Sequence, residues 1–172
     1  MSTTIANKNT EERNHHQRRL MPNGTLFEFL ASRDETGSEI CIIRGTIPPG
    51  VAVPLHSHAD VELFYVLEGS LEAYQFRNGN DGWASFGPGE IVSISGNTKH
   101  ALRNSSPLPA TVVLVTTSKL YSFFREASKP VDRGRAATPP TREEIQKVFA
   151  TAARYGYWMG SPEENAAIGL SL

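Results

Sequence analysis

The stretch Gly50-Val-Ala-Val-Pro-Leu-His56-Ser-His58-Ala-Asp-Val-Glu62 gathers the side chains of this sequence best suited to chemistry. Residues two apart on a β-strand point to the same face. His56 and His58 therefore aim at one point, and Glu62 shares their parity if the extended run continues. Two imidazoles and a carboxylate are ligands for iron, manganese, nickel, copper or zinc. A single histidine on an apolar strand is more often a satisfied core residue. Three ionisable groups on one apolar interior face are different, because each needs a partner and a single cation satisfies all three. His100 is a further donor, opening the segment HALRN. Considered alone, it reads as an exposed loop histidine beside Lys99.

The elements that must position these groups are short strands. LFEFLAS (26–32), EICIIRGTI (39–47), VELFYVLE (61–68), SLEAYQF (70–76), EIVSIS (90–95), HALRN (100–104) and ATVVLVTT (110–117) carry strand-type apolar patterns. Gly37, Pro48-Pro49-Gly50, Gly69, the run Asn78 to Gly82, Gly87-Pro88-Gly89 and Pro107-Leu108-Pro109 punctuate them. Many short strands at this spacing predict a mainly β sandwich or barrel over residues 20–117. Phe64 and Leu102 share strand parity with the candidate ligands and are candidates for an apolar pocket wall. Tyr74 and Trp83 are assigned to core packing, and Arg103, of opposite parity to His100, to the surface.

Residues 118–172 change period and predict a helical extension packed on the outside of the barrel. SKLYSFFREA (118–127) places Leu120, Phe123 and Phe124 on one helix face. Residues 129–140 read as a linker. Thr141 followed by Glu144 is a capping box, and Ile145, Val148, Phe149 and Ala152 form one apolar stripe ahead of a stop at Gly156. A sharper possibility is that Phe123, Phe124, Tyr157 and Trp158 cover a pocket mouth or a dimer seam. Residues 1–19 are almost wholly polar and read as a disordered tail, or one ordered by a partner subunit. His15 and His16 lie on this tail and are expected to be solvated.

Composition narrows the partners. The 17 basic and 18 acidic residues nearly cancel, so nothing calls for nucleic acid or an anionic membrane. A small-molecule ligand is the first expectation. Cys41 is the only cysteine, which excludes an internal disulfide and a cysteine-based zinc knuckle. With no apolar run of signal-peptide or membrane-spanning length, the expected location is cytoplasmic.

The two candidate ligand segments resemble the motifs of the cupin superfamily. The first motif is Gly, five residues, His-x-His, three residues, Glu, six residues, Gly. It is matched by Gly50, His56, His58, Glu62 and Gly69. The second is Gly, five residues, Pro-x-Gly, two residues, His, three residues, Asn, matched at Gly89, His100 and Asn104. Its Pro and second Gly are Ser95 and Asn97 here, and Asn tolerates the positive φ such a turn asks for. The resemblance covers about residues 24–117. It implies a double-stranded β-helix, a jelly-roll-like barrel, holding one divalent transition metal (Fe, Mn, Ni, Cu, Co or Zn) on His56, His58, Glu62 and His100. The segment after Ser118 is similar to tails of quercetin dioxygenase-like cupins.

Four protein ligands leave about two positions of an octahedral ion open, as a catalytic metal needs. The expected function is a dioxygenase-like oxidoreductase acting on a small enolic or phenolic compound, with Glu62 as ligand or as the base that takes the substrate proton. A non-redox isomerase, lyase or decarboxylase is the alternative, and a small-ligand-binding cupin without turnover is the third. A homodimer is expected because barrels of this type leave edge strands, and segment 26–32 with the tail before it could reach a partner.

Overall fold

The computed structural model describes residues 18–76, 81–131 and 140–171. Two antiparallel sheets face each other. The larger has the order β11 (Lys129–Pro130), β1 (Arg18–Leu20), β2 (Leu26–Ala31), β3 (Ile40–Ile47), β10 (Ala110–Thr117), β5 (Glu62–Glu68), β8 (Ile91–Ile94). The smaller has the order β12 (Trp158–Met159), β4 (Ala52–Ser57), β9 (His100–Arg103), β6 (Leu71–Gln75), β7 (Gly82–Phe86). Short helices α1 (Arg33–Thr36), α2 (Ser118–Ala127), α3 (Arg142–Arg154) and α4 (Pro162–Ala167) complete the described chain.

Strand alternation decides what faces inward. On β5, Glu62, Phe64 and Val66 are buried, while Leu63, Tyr65 and Leu67 are exposed. Neighbouring β10 pairs Leu114 with Phe64 and turns Val112 and Leu114 into the same core. Leu71, Ala73, Val92 and Leu102 join them from the remaining strands. Gly69 makes the turn between β5 and β6 possible. Its φ is 74°, and a Cβ there would lie 2.3 Å from the Pro109 carbonyl oxygen, so no other residue fits without moving backbone.

Each of the seven segments expected to be extended is a strand, 110–117 over its full length and the other six shortened by one or two residues. The edge differs from expectation. Strand β2 is an inner strand, because Arg18–Leu20 pairs along it and Lys129–Pro130 pairs in turn with β1. The last two residues of the polar tail, Arg18 and Arg19, are thus drawn into the sheet, where the Arg19 guanidinium donates to the Ser128 carbonyl at 2.6 Å. The remainder of that tail, with His15 and His16, lies outside the described residues, as do residues 77–80 and 132–139 of the expected loop and linker.

Helix α2 spans the expected residues, and α3 begins on the expected capping box. Glu144 N–H donates to Thr141 Oγ1 at 3.2 Å, and Thr141 N–H to the Glu144 carboxylate at 2.9 Å. Gly156, at φ 73°, lets the chain turn away after α3. These helices do more than pack on the outer wall. The stripe Ile145, Val148, Phe149 and Ala152 closes over the mouth of an interior cavity, together with Phe123 and Phe124 of α2.

The C-terminal segment then returns to the barrel and holds β4 from its outer edge. Trp158 and Met159 pair with Ser57 and His56, and Gly160 N–H donates to the Leu55 carbonyl at 2.7 Å. Asn165, 1 % exposed, accepts from Leu55 N–H at 2.8 Å and donates to the Gly160 and Ser161 carbonyls at 3.1 and 2.9 Å. Asn165→Ala would strand the Leu55 N–H and take the side-chain donor from the Gly160 carbonyl next to the ligand strand, while the Ser161 carbonyl keeps the Asn165 N–H. A loss of about 3 kcal/mol is expected, because each unsatisfied group costs about 1–3 kcal/mol. In a chain of this size that lowers the melting temperature by about 6–12 °C. A thermal melt within a degree of wild type would show that the clamp carries no load.

Candidate metal centre

The four predicted donors come together from three strands and a turn. His56 lies on β4, His58 just beyond its end, Glu62 begins β5, and His100 begins β9. One ligand atom from each lies within 4.8 Å of the others. Glu62 does not continue the strand of His56 and His58. The chain leaves the smaller sheet after Ser57 and enters the larger one at Glu62, so the carboxylate approaches from the opposite wall. The shared-strand argument therefore gives the right residue through a different geometry. His56 and His100 are directly cross-paired on β4 and β9, with ring centroids 4.1 Å apart.

The turn leading into His100 is tied to the same place. Asn97 has φ 64°, the left-handed conformation expected where the motif normally carries glycine, and its N–H donates to the His58 carbonyl at 2.6 Å. At Gly96 a Cβ would lie 2.3 Å from the Ala59 carbonyl oxygen. The backbone of the second motif is therefore packed directly on that of the first. Asn104, 1 % exposed, donates to the Ile47 and Leu108 carbonyls and anchors the far end of β9.

Hydrogen bonding fixes the histidine tautomers. Nδ1 of His56 lies 2.7 Å from the Pro54 carbonyl, that of His58 3.1 Å from the Asp60 carbonyl, and that of His100 2.9 Å from the Thr98 carbonyl. A carbonyl only accepts, so each Nδ1 carries the hydrogen and leaves Nε2 with a lone pair to offer. Those of His100 and His58 face Glu62 Oε2 at 2.8 and 3.4 Å. These three buried atoms have no hydrogen-bond partner among the described residues. A proton or a metal ion between these atoms is what makes such contacts favourable. Bonded at about 2.1 Å to one octahedral ion, adjacent donors stand about 3.0 Å apart, and the 2.8 and 3.4 Å contacts of Glu62 lie near that value, as a first-row divalent metal would ask.

Electrostatics agree with that fit. Burial, aided by His100, pulls His56 down to about 3, so it is a neutral ligand at physiological pH. For His58 burial also acts downward, but the adjacent Glu62 carboxylate outweighs it and the net shift is upward. Burial would raise the Glu62 carboxyl, yet the rings of His100 and His58 hold it well below the usual range. The centre thus presents a carboxylate ringed by imidazoles.

Phe64 and Leu102, the predicted wall residues, both line the cavity that opens on His56, His58 and Glu62. Tyr74 and Trp83 instead pack with Leu55, Ala101 and Leu170 on the outside of the smaller sheet, and Arg103 stacks over Trp83 while pairing with Glu72. Tyr157 lines the cavity, but Trp158 does not; its ring lies beneath Lys99. Sequence reasoning passed over Asp60. Its carboxylate accepts from the Tyr157 hydroxyl at 2.9 Å and from Thr117, and lies 3.8 Å from His58 Nδ1. It thereby links the C-terminal segment to a donor histidine. Its position two residues after His58, inside the first motif, was the available signal.

Residues 43–116, which include all four donors, match the cupin domain family model. Among solved structures, a predicted oxalate decarboxylase from Thermotoga maritima is 22 % identical, with 54 % of this chain and 79 % of that chain covered at TM-score 0.48. The polyketide cyclase RemF from Streptomyces resistomycificus is 18 % identical, with 74 % and 82 % covered at TM-score 0.49. The oxalate decarboxylase of Lactobacillus farciminis, in its formate complex, shares the fold at TM-score 0.52 and 14 % identity, with 59 % of this chain and 30 % of that larger chain covered. A comparison with curated protein sequences finds no match. With both motifs and the two-sheet barrel in place, the domain match marks residues 43–116 as a cupin domain.

Proposed function

We propose that this cupin is a metal-dependent, dioxygenase-like oxidoreductase acting on a small enolic or phenolic compound. The observation that carries the reading is the junction of a four-donor centre with an apolar cavity of about 390 Å3, large enough for a small organic molecule. His56, His58 and His100 would hold the metal with Glu62. A first-row metal bound there supplies Lewis acidity and, for iron or manganese, a redox couple. The walls, including Phe64 and Leu102, exclude water and surround the body of the substrate. Glu62 offers the carboxylate nearest the reacting end, able to charge-balance the metal or to take the proton of an enol or phenol.

Oxygen consumption by the iron- or manganese-loaded protein, tested against a panel of enols and phenols, is the deciding measurement. Uptake that depends on both metal and substrate is expected. Conversion without oxygen uptake would replace this reading with an isomerase, lyase or decarboxylase. Binding without conversion would leave a ligand-binding cupin. A cytoplasmic location belongs to the same proposal, supported by a single cysteine that is buried and free.

A homodimer is also proposed. Its support is the outer face of β5 and β8, where Val61, Leu63, Tyr65, Leu67 and Ile91 stand exposed beside one another. Light scattering should give twice the mass of one chain; a monomer at every accessible concentration would remove this assembly.

A further inference from the structure

Three of the four donors take their place from the strand ladders. His56 on β4 is paired with His100 on β9 and with Met159 on β12, and Glu62 on β5 is paired with Thr116 and Ile94. His58 is different, because it lies past the end of β4, in the turn that carries the chain from one sheet to the other. The Asn97 N–H fixes its carbonyl but not its ring. The ring is set by Asp60, whose carbonyl accepts from Nδ1 at 3.1 Å. Where that carbonyl points depends on what holds Asp60.

Asp60 is held by its side chain. The residue is 5 % exposed, and its carboxylate accepts from the Thr117 hydroxyl at the end of β10 and from the Tyr157 hydroxyl at 2.9 Å. A buried carboxylate is costly unless hydrogen-bonded, so these two donors decide where it rests. Tyr157 is brought there by register. Trp158 pairs with Ser57 and Met159 with His56, so the residue before Trp158 stands beside the residue after Ser57. The Tyr157 ring lies 5.0 Å from that of His58 and 5.2 Å from that of Phe123, and its N–H donates to the Ala152 carbonyl at 2.9 Å. It is thereby tied to α3, to α2 and to the edge of the smaller sheet at once. The Asp60 carboxylate also stands 3.8 Å from His58 Nδ1, where its charge makes the ring a stronger donor.

We infer that Tyr157 is a positioning residue for the metal centre, setting the orientation and the donor strength of His58 through Asp60. The inference rests on the four donors holding a metal, and not on any reaction.

Cobalt(II) tests it, because its visible bands and the hyperfine-shifted N–H signals of its histidine ligands report ligand geometry. Tyr157→Phe keeps the ring in the cavity wall and removes only the hydroxyl. It should weaken cobalt(II) binding by about tenfold, the lower end of the range for partners that orient a ligand, as read by competition with a chelator. Of the three histidine N–H signals in the cobalt-loaded protein, one should move and two should stay. Asp60→Ala should weaken binding at least as much. Adding Tyr157→Phe to it should cost less than about twofold more, because the hydroxyl acts through the carboxylate. Wild-type cobalt affinity in Tyr157→Phe, or N–H signals that all stay in place, would overturn the inference, however far the melting temperature falls. So would a loss of about tenfold that persists in the Asp60→Ala background. Should Asp60→Ala not fold, the affinity and the signals of Tyr157→Phe decide alone. Wild-type protein that takes up no cobalt would remove the centre itself and the inference with it.

Discussion

His56→Ala/His58→Ala protein should purify folded and without stoichiometric metal, the largest change expected of any substitution in this chain. Both imidazoles present Nε2 to the centre with Nδ1 locked on a carbonyl, so neither can be replaced by a neighbour turning inward. Groups that merely orient such ligands are worth about ten- to a hundredfold in metal affinity, and losing a ligand itself should cost more. Two losses together should take the protein below any stoichiometric occupancy, read by elemental analysis after dialysis. The fold should survive, because the ladder bonds of β4 to β9 and β12 are made by backbone atoms. The control is the metal-free wild type, whose far-ultraviolet circular dichroism the double variant should match. A folded double variant that keeps one metal per chain would place the site elsewhere.

The site was legible because its chemistry lies in spacing. Gly50, His56, His58, Glu62 and Gly69 stand at fixed intervals, and that pattern picks out three of the four clustered side chains even though the shared-strand geometry it suggests for Glu62 is wrong. Short-range periodicity could not show that the chain changes sheets between Ser57 and Glu62. The capping box at Thr141 and the stripe from Ile145 to Ala152 were equally plain, because both are local. What the stripe covers was not plain: an apolar helix face looks the same whether it meets a barrel wall or a cavity mouth. Strands β1, β11 and β12 escaped detection for a related reason. Each is two or three residues long and is extended only because a distant partner pairs with it. The five-residue strand β7 was not read as extended either. Asn165 had no local signal at all, since its role depends on contacts 110 positions away.

Glu62→Gln separates what the histidine variants cannot. Glutamine keeps the shape and one oxygen but loses the charge and the basicity. Glu62 is 3 % exposed, and its Oε2 lies 2.8 Å from Nε2 of His100 and 3.4 Å from that of His58, among the donors and not beside them. In the metal-free state the rings of His100 and His58 stabilise the carboxylate, and glutamine forfeits that attraction, so the metal-free variant should melt no higher than metal-free wild type. Metal binding should weaken too, because an anionic donor becomes a weaker neutral one. The expected result is a fall in metal occupancy that parallels the fall in turnover, with activity per bound metal largely kept. If the carboxylate acts instead as the base, metal would stay bound while turnover drops by about two to four decades, the usual cost of losing a general base. Measuring occupancy and rate on the same preparations distinguishes these outcomes. A Glu62→Gln protein with full metal and full activity would contradict both roles and leave Glu62 as a group that only orients the histidines around it.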